Sequence, residues 1–127
     1  MSSRKCFYDV PEHGIVNSNK PGQQKLNTVD HKRMTGNKSG ILMFKMEGCG
    51  HCVKATAELH KLCEKYQRPI FIVDSRSPIV KQFKPDIEGF PTLYIVTGAG
   101  DVIQKQYSGE RSAAAFENQL RSVDSQR

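Results

Sequence analysis

The sequence contains no tryptophan, and its longest uninterrupted apolar runs, such as 70–73 and 93–96, are only four residues long. A membrane-spanning helix needs about 20 apolar residues, so these runs predict no such helix. The first 14 residues are rich in charge and lack the apolar stretch that forms the centre of a secretory signal peptide. We therefore expect the chain to stay where it is made, in a reducing cytoplasm.

A length of 127 residues is enough for one domain with one modest core. The net charge of +6 is unevenly distributed: residues 1–39 contain seven Lys or Arg against three Asp or Glu, and residues 40–127 contain twelve against ten. We interpret residues 1–39 as a basic, polar extension and residues 40–127 as the folded domain. The positive charge of the extension is of the sign that attracts nucleic acid, anionic membranes or acidic partners. However, no RNA-binding signature accompanies the charge, so we expect neither a nucleic-acid nor a membrane partner.

Apolar patterning predicts regular elements from residue 40 onward, in the order β, long α, β, short α, β, β, α. The predicted strands are ILMFKM (41–46), PIFIVD (69–74), TLYIVT (92–97) and VIQKQY (102–107), of which the last two form a hairpin. A helix between the first two strands implies a right-handed parallel crossover. The fold class is therefore α/β, with a mixed central sheet of about four to five strands and helices on both faces.

Helix boundaries are marked by serine and proline. The long helix ends before Pro69, because the residue preceding a proline avoids the helical conformation. Ser77 is predicted to cap the short helix, and Ser112 precedes an amphipathic helix at the end of the chain. The extension contains strand-like pieces at residues 6–10 and 13–17 and a candidate helix at 26–34.

Two of the four cysteines, Cys49 and Cys52, lie three residues apart in EGCGHCVKA. A structural zinc needs four ligands, and the next candidates, His60 and Cys63, lie about 12 Å and 16 Å further along the same helix. Cys6 would still leave one ligand missing. A metal or iron–sulfur cluster shared between two chains remains an alternative. A disulfide between Cys49 and Cys52 would close so small a loop that it would add little stability.

A redox role for the pair has a physical basis. Cys49 falls where a strand ends and a helix begins, and the unpaired N–H groups of a helix start favour a thiolate. A protonated His51 would add to this effect. Since the thiolate is the species that attacks in disulfide exchange, Cys49 is the candidate nucleophile. Cys52, one turn further on, is the candidate resolving thiol.

The remaining two cysteines have no such context. Cys63 lies on the apolar face of the long helix, so we expect it to be a small core residue. Cys6 lies in the extension. It is either a free thiol or an intermolecular crosslinker, and the sequence leaves both readings open.

The pattern resembles the thioredoxin superfamily, and its strand–CGHC–helix unit is similar to the catalytic domains of protein disulfide isomerases. The segment EGFPTLYIV (88–96) resembles the cis-proline segment of that family, and Pro91 follows Cys49 by 42 residues. The resemblance covers residues 40–123 and implies a thioredoxin-like fold. It also implies a set of site residues: Cys49, Gly50, His51 and Cys52 as catalytic, and Phe90, Pro91 and Thr92 as substrate-binding. Core packing is the alternative role for the Phe90 ring.

Three positions depart from the family pattern. Met43 stands where the family carries a buried acid, which predicts slower resolution or a substitute base. Gly48 replaces a tryptophan and leaves the site more open, and Ala57 replaces a proline that kinks the helix. Glu47, the nearest carboxylate, is expected to face solvent.

We therefore expect a thiol–disulfide oxidoreductase that leans towards oxidase or isomerase chemistry and acts on protein thiols and disulfides. It would need no cofactor, and a thiol oxidase or glutathione would be its redox partner. The alternative is a binding module of the same fold with slow or no redox turnover. An oxidising motif conflicts with a reducing cytoplasm; a viral oxidative pathway with packaging in the virion would reconcile them.

Overall fold

The computed structural model describes residues 6–18, 23–27, 38–83 and 86–125. Six strands occur in this part of the chain: β1 (Phe7–Asp9), β2 (Ile15–Asn17), β3 (Gln24–Leu26), β4 (Gly40–Lys45), β5 (Ile70–Asp74) and β6 (Thr92–Val96). Its helices are α1 (Gly50–Lys65), a 3₁₀ helix (Pro78–Phe83) and α2 (Ala113–Ser125). No helix in these ranges is long and apolar enough to cross a membrane.

The central sheet has four strands in the order β1–β5–β4–β6. β1 and β4 both pair with β5 in parallel, and β6 pairs with β4 antiparallel. The predicted α/β class with a mixed sheet is therefore confirmed. Because both faces of β4, β5 and β6 are covered, nearly every residue of these strands is buried, which explains their continuous apolar runs.

Different elements cover the two faces of the sheet. α1 and α2 pack on one face, where Met43, Leu59 and Phe116 belong to one apolar cluster. The 3₁₀ helix and the small β2–β3 sheet cover the other face. There the rings of Phe44, Phe83 and Tyr94 pack with centroid distances of 4.9, 5.0 and 6.0 Å.

The predicted helix boundaries correspond to observed caps. The Ser77 hydroxyl oxygen accepts from the backbone N–H of Ile79 at 3.2 Å, and that of Ser112 accepts from the N–H of Ala115 at 3.2 Å. The first N–H groups of a helix lack a backbone acceptor, and each of these hydroxyl oxygens supplies one. α1 ends before Pro69, as expected.

The predicted strand at 102–107 is wrong as a regular element. Val102 forms only an isolated bridge with Val96, and the N–H of Tyr107 donates to the carbonyl of Leu93. From the first contact to the second, five residues pass in the segment 102–107, whereas only three pass in β6, from 96 to 93. Two extra residues therefore bulge out of the ladder, and side-chain alternation alone does not indicate such a bulge.

The N-terminal segment contributes to both sheets. The strand-like pieces at 6–10 and 13–17 contain β1 and β2. Of the candidate helix at 26–34, Leu26 lies in β3 instead, and residues 28–34 lie outside the described residues. The boundary at residue 40 stays a prediction.

Cys6 and Cys63 form a disulfide, with a Cα–Cα distance of 6.0 Å. The expectations of a free or crosslinking Cys6 and of a simple core Cys63 were therefore wrong, although Cys63 is buried. The two cysteines meet because β1 joins the edge of β5 and thereby brings Cys6 beside the last turn of α1. They are 57 residues apart in sequence.

A polar cluster ties the end of α1 to the end of α2. Asp124 accepts hydrogen bonds from Arg68 at 3.0 Å and from the Tyr66 hydroxyl at 3.1 Å. The guanidinium groups of Arg68 and Arg121 lie 4.0 and 4.3 Å from the centroid of the Tyr66 ring. Burial raises the pKa of Asp124, but hydrogen bonds that include these two outweigh burial and hold the pKa below its usual value.

We expect Asp124→Asn to lower the free energy of unfolding at pH 7 by about 1–2 kcal/mol, because Arg68 then loses its anionic partner. A lowered pKa in the folded state means that this stabilisation is present above the unfolded pKa of about 3.9 and is lost as pH falls through the folded value. Urea unfolding of the wild-type and Asp124→Asn chains at pH 7 and pH 3 measures the difference between their free energies of unfolding at each pH. Glu88→Gln, at an exposed carboxyl, is the control. An equal loss at both pH values would contradict the prediction.

Candidate active site

Cys49 lies at the junction that the sequence predicts, between the end of β4 and the start of α1. The turn before it contains Gly48 with φ of 79°. This left-handed conformation is open to glycine and unfavourable for a bulky side chain, which gives a physical reason for glycine here. Cys49 itself is extended and is the N-cap of α1.

The sulfur of Cys49 has two backbone neighbours. Its Sγ accepts a hydrogen bond from the N–H of Cys52 at 3.1 Å, as an N-cap side chain does. Its thiol lies 3.6 Å from the carbonyl oxygen of Phe90 and donates to it. The start of α1 and the segment before β6 therefore meet at this sulfur.

Cys52 differs from Cys49 in accessibility. Cys49 is half-buried, whereas Cys52 is 4% exposed, and both are free thiols. Burial raises the pKa of Cys52, and the hydrogen bond with Cys49 raises it further. A hydrogen bond from the Met46 backbone acts in the opposite direction and lowers this pKa, and the positive charge of Arg111 lowers it to a smaller extent. The pair thus combines an accessible sulfur with a protected one whose pKa lies above its usual value.

Arg111 is a residue that the sequence analysis missed. It is exposed and directly precedes Ser112, the cap of α2. Nothing in the polar segment around it marks one arginine among the 19 Lys and Arg residues of the chain. Its proximity to Cys52 arises from the packing of α2 against α1.

Of the three predicted substrate-binding residues, Phe90 contacts Cys49, and Pro91 and Thr92 follow it in the chain. The Phe90–Pro91 peptide bond is cis. The Phe90 ring is half-buried against the apolar cluster on the 3₁₀-helix face, and the Phe90 carbonyl faces Cys49. Pro91 and Thr92 are buried, and the Thr92 hydroxyl donates to the carbonyl of Gly89 at 2.6 Å. This places the Phe90 backbone, rather than its ring, at the site.

The two residues between the cysteines, Gly50 and His51, are both exposed in the first turn of α1. A Cβ placed on Gly50 would meet no atom within 4 Å. Steric crowding therefore does not explain why this position is a glycine.

A groove of about 510 Å³ runs along the β5 side of Cys49, opposite the Phe90 carbonyl. Met46 and Val53 line it and are 45% and 69% exposed, which makes them the exposed large hydrophobic residues of the described ranges. Its outer wall is charged, with Arg76 bound to Asp74 at 2.9 Å. The nucleophile candidate is therefore flanked by apolar side chains on a surface that is otherwise polar.

Neither Met43, at the position of the expected buried acid, nor Glu47, the carboxylate nearest to the pair in sequence, places a carboxylate beneath the two cysteines. Met43 is completely buried in β4. The Glu47 side chain is 85% exposed and lies 3.9 Å from Arg76, so it faces solvent as expected. In the described part of the chain, no group of three or more His, Cys, Asp or Glu side chains is arranged to hold a metal ion.

Comparisons with known proteins agree with this geometry. The thioredoxin family model matches residues 23–122. Protein disulfide isomerase-like 1-1 of Arabidopsis thaliana is 28% identical over 93 residues, which make up 70% of this chain and 18% of that protein. The chain thus spans less than a fifth of this relative.

Solved structures share the fold. A mutant thioredoxin from Halobacterium salinarum matches with a TM-score of 0.63 at 15% identity, over 97% of this chain and 95% of its own. The first thioredoxin domain of mouse protein disulfide-isomerase A4 matches with a TM-score of 0.53 at 24% identity, over 87% and 80% of the two chains. These likenesses show the fold, and the family model, which matches more than half of the chain, shows that the chain belongs to the thioredoxin family.

Proposed function

We propose that the chain is a thiol–disulfide oxidoreductase that acts on protein thiols and disulfides through Cys49 and Cys52. The observation that carries this proposal is the position of Cys49. Its half-buried sulfur caps α1 and accepts the N–H of Cys52 at 3.1 Å, and the second thiol lies one turn further on. An N–H donor aimed at sulfur stabilises the anion more than the neutral thiol.

In the reducing direction, the Cys49 thiolate attacks a substrate disulfide and forms a mixed disulfide, and one substrate sulfur leaves as a thiolate. The Cys52 thiolate then attacks the Cys49 sulfur, the mixed disulfide breaks, and the second substrate sulfur leaves. Two electrons have moved from the cysteine pair to the substrate, and the pair has become a disulfide. Oxidation of a substrate dithiol is the reverse sequence.

The other predicted residues have supporting roles in this proposal. Gly50 and His51 are exposed and keep the first turn of α1 open to solvent. The Phe90 carbonyl accepts an N–H from an extended substrate chain, as in strand addition. Pro91 and Thr92 hold that carbonyl beside Cys49 from their buried positions.

The proposed direction is oxidation or isomerisation. The Gly-His dipeptide supports it by resemblance to protein disulfide isomerases, and the buried Cys6–Cys63 disulfide is consistent with a chain that encounters oxidants. The cysteine pair itself carries the electrons, so no cofactor is proposed. Glutathione or a thiol oxidase would restore the oxidised pair.

Two observations favour a second candidate, a binding module of the same fold. Met43 occupies the position of the family's buried acid, and burial raises the pKa of Cys52. Both features slow the step in which Cys52 releases a substrate. In such a module the groove beside Cys49 would bind a partner while the cysteines stay idle.

Insulin reduction with glutathione as the electron source separates the two candidates. We expect turnover by the wild-type chain and a fall to the uncatalysed rate in Cys49→Ser, because the attacking sulfur is gone. Cys52→Ser should accumulate a mixed disulfide with the substrate, which non-reducing mass spectrometry detects. Thr56→Ser, which keeps the hydroxyl that bonds to the Cys52 carbonyl, is the matched control. Wild-type turnover no faster than that of Cys49→Ser would support the module.

The release step should depend strongly on pH. Since the pKa of Cys52 is raised, its thiolate is the minor form near neutrality, and the release rate should grow by nearly tenfold per pH unit below that pKa. Rapid mixing with acid quench, from about pH 6 to pH 9, measures the decay of the mixed disulfide. A rate that does not change over this range would refute the assignment of Cys52 as the resolving thiol.

Arg111 provides a variant for the same experiment. Arg111→Gln removes a positive charge that lowers the pKa of Cys52, so the pH profile should move to higher pH and release near neutrality should slow. Arg111→Lys keeps the charge and should restore most of the rate. If both variants behave alike, the effect of Arg111 is not electrostatic.

A further inference from the structure

The Cys6–Cys63 disulfide lies away from the proposed active site. Cys63 follows Cys52 by eleven residues along α1, a rise of about 16 Å, so the two pairs do not exchange directly. Cys6 and Cys63 are 5% and 3% exposed, whereas Cys49 is half-buried. The chain therefore contains two redox-capable pairs with very different access for a reductant.

The disulfide fastens a short edge strand. β1 has only three residues, and among the strands of the described ranges its one neighbour is β5. Besides the disulfide, a ladder to β5 holds β1 and extends to the N–H of Val10, which donates to the carbonyl of Ile72 at 3.0 Å. Two ring contacts add to it: Phe7 stacks on His60 at 4.3 Å and Tyr8 stacks on Phe71 at 5.9 Å. So short an edge strand has few contacts of its own and belongs to the least stable part of a fold.

β1 covers a strand that is not suited to an edge. Four of the five residues of β5 are buried, and Ile70 and Ile72 belong to the apolar cluster under α1. Without β1, the backbone of β5 would be an unpaired edge next to that cluster. Uncovered apolar edges pair readily with other chains.

We propose that Cys6–Cys63 is a redox-controlled lock on β1. A dithiol reductant donates two electrons and two protons to the Cys6–Cys63 bond, becomes a cyclic disulfide itself and leaves two thiols on the protein. β1 then separates from β5, while β4, β6 and the two helices keep their packing. Because its sulfurs are buried, the lock opens only under stronger reduction than the Cys49–Cys52 pair requires.

The lock is tested in Cys49→Ser/Cys52→Ser, in which Cys6 and Cys63 are the only cysteines. Amide hydrogen exchange is measured on this folded chain before and after dithiothreitol, with the thiol content checked by alkylation. We expect the amides of 7–10 to lose protection by at least about tenfold, while those of α2 change little. The same chain with Cys6→Ser and Cys63→Ser should show the exchange pattern of the reduced form without any reductant.

Two results would overturn the proposal. Equal protection of 7–10 in the oxidised and reduced chains would show that β1 does not need the bond. Simultaneous loss of protection in β1 and α2 would show a staple for the whole fold rather than a local lock. Neither result depends on the proposed enzymatic function, because the active-site cysteines are absent from the test protein.

The order of reduction is tested on the wild-type chain. The chain is treated with increasing concentrations of dithiothreitol and alkylated, and peptide mass mapping identifies the labelled cysteines. Cys49 and Cys52 should be labelled at a lower concentration than Cys6 and Cys63. Labelling of both pairs at the same reductant concentration would contradict the protection that we assign to the lock.

Discussion

The contact on which this structure depends most is the hydrogen bond from the first turn of α1 to the sulfur of Cys49. A helix start has N–H groups without backbone partners, and here a thiol supplies the acceptor that serine supplies at the caps of the later helices. The sequence prepares this contact in two ways. β4 is buried in the centre of the sheet and fixes the position of the turn, and Gly48 adopts the left-handed conformation that brings Cys49 to the cap.

The same packing makes the two thiols unequal. Cys49 reaches the surface between the groove and the Phe90 carbonyl, whereas Cys52 points beneath the first turn, where burial raises its pKa. In the family, a buried acid beneath this position would help the second thiol; here Met43 fills the space with an apolar side chain. Arg111 offsets part of the cost of ionising Cys52, and it does so from the loop before α2. Release of substrate is therefore the step that this chain's departures from the family affect most.

Local patterns predicted the parts of the fold that local physics determines. The apolar runs of β4, β5 and β6 and the helix caps at Ser77 and Ser112 could be read from the sequence because burial and capping leave direct marks in it. The pairing of Cys6 with Cys63 and the proximity of Arg111 to Cys52 could not, because both arise when distant segments pack. The irregular edge at 102–107 was missed for a related reason: alternation predicts which side chains face inward, but not two extra residues in the ladder.

The most direct measurement is the rate at which iodoacetamide alkylates Cys49 in Cys52→Ser near pH 7, first in the folded chain and then in urea, with Cys6–Cys63 left oxidised. Folding directs the N–H of residue 52 at the sulfur, so the folded chain should react several-fold faster than the unfolded one, although its sulfur is less exposed. An equal or slower reaction in the folded chain would contradict the claim that the start of α1 activates Cys49.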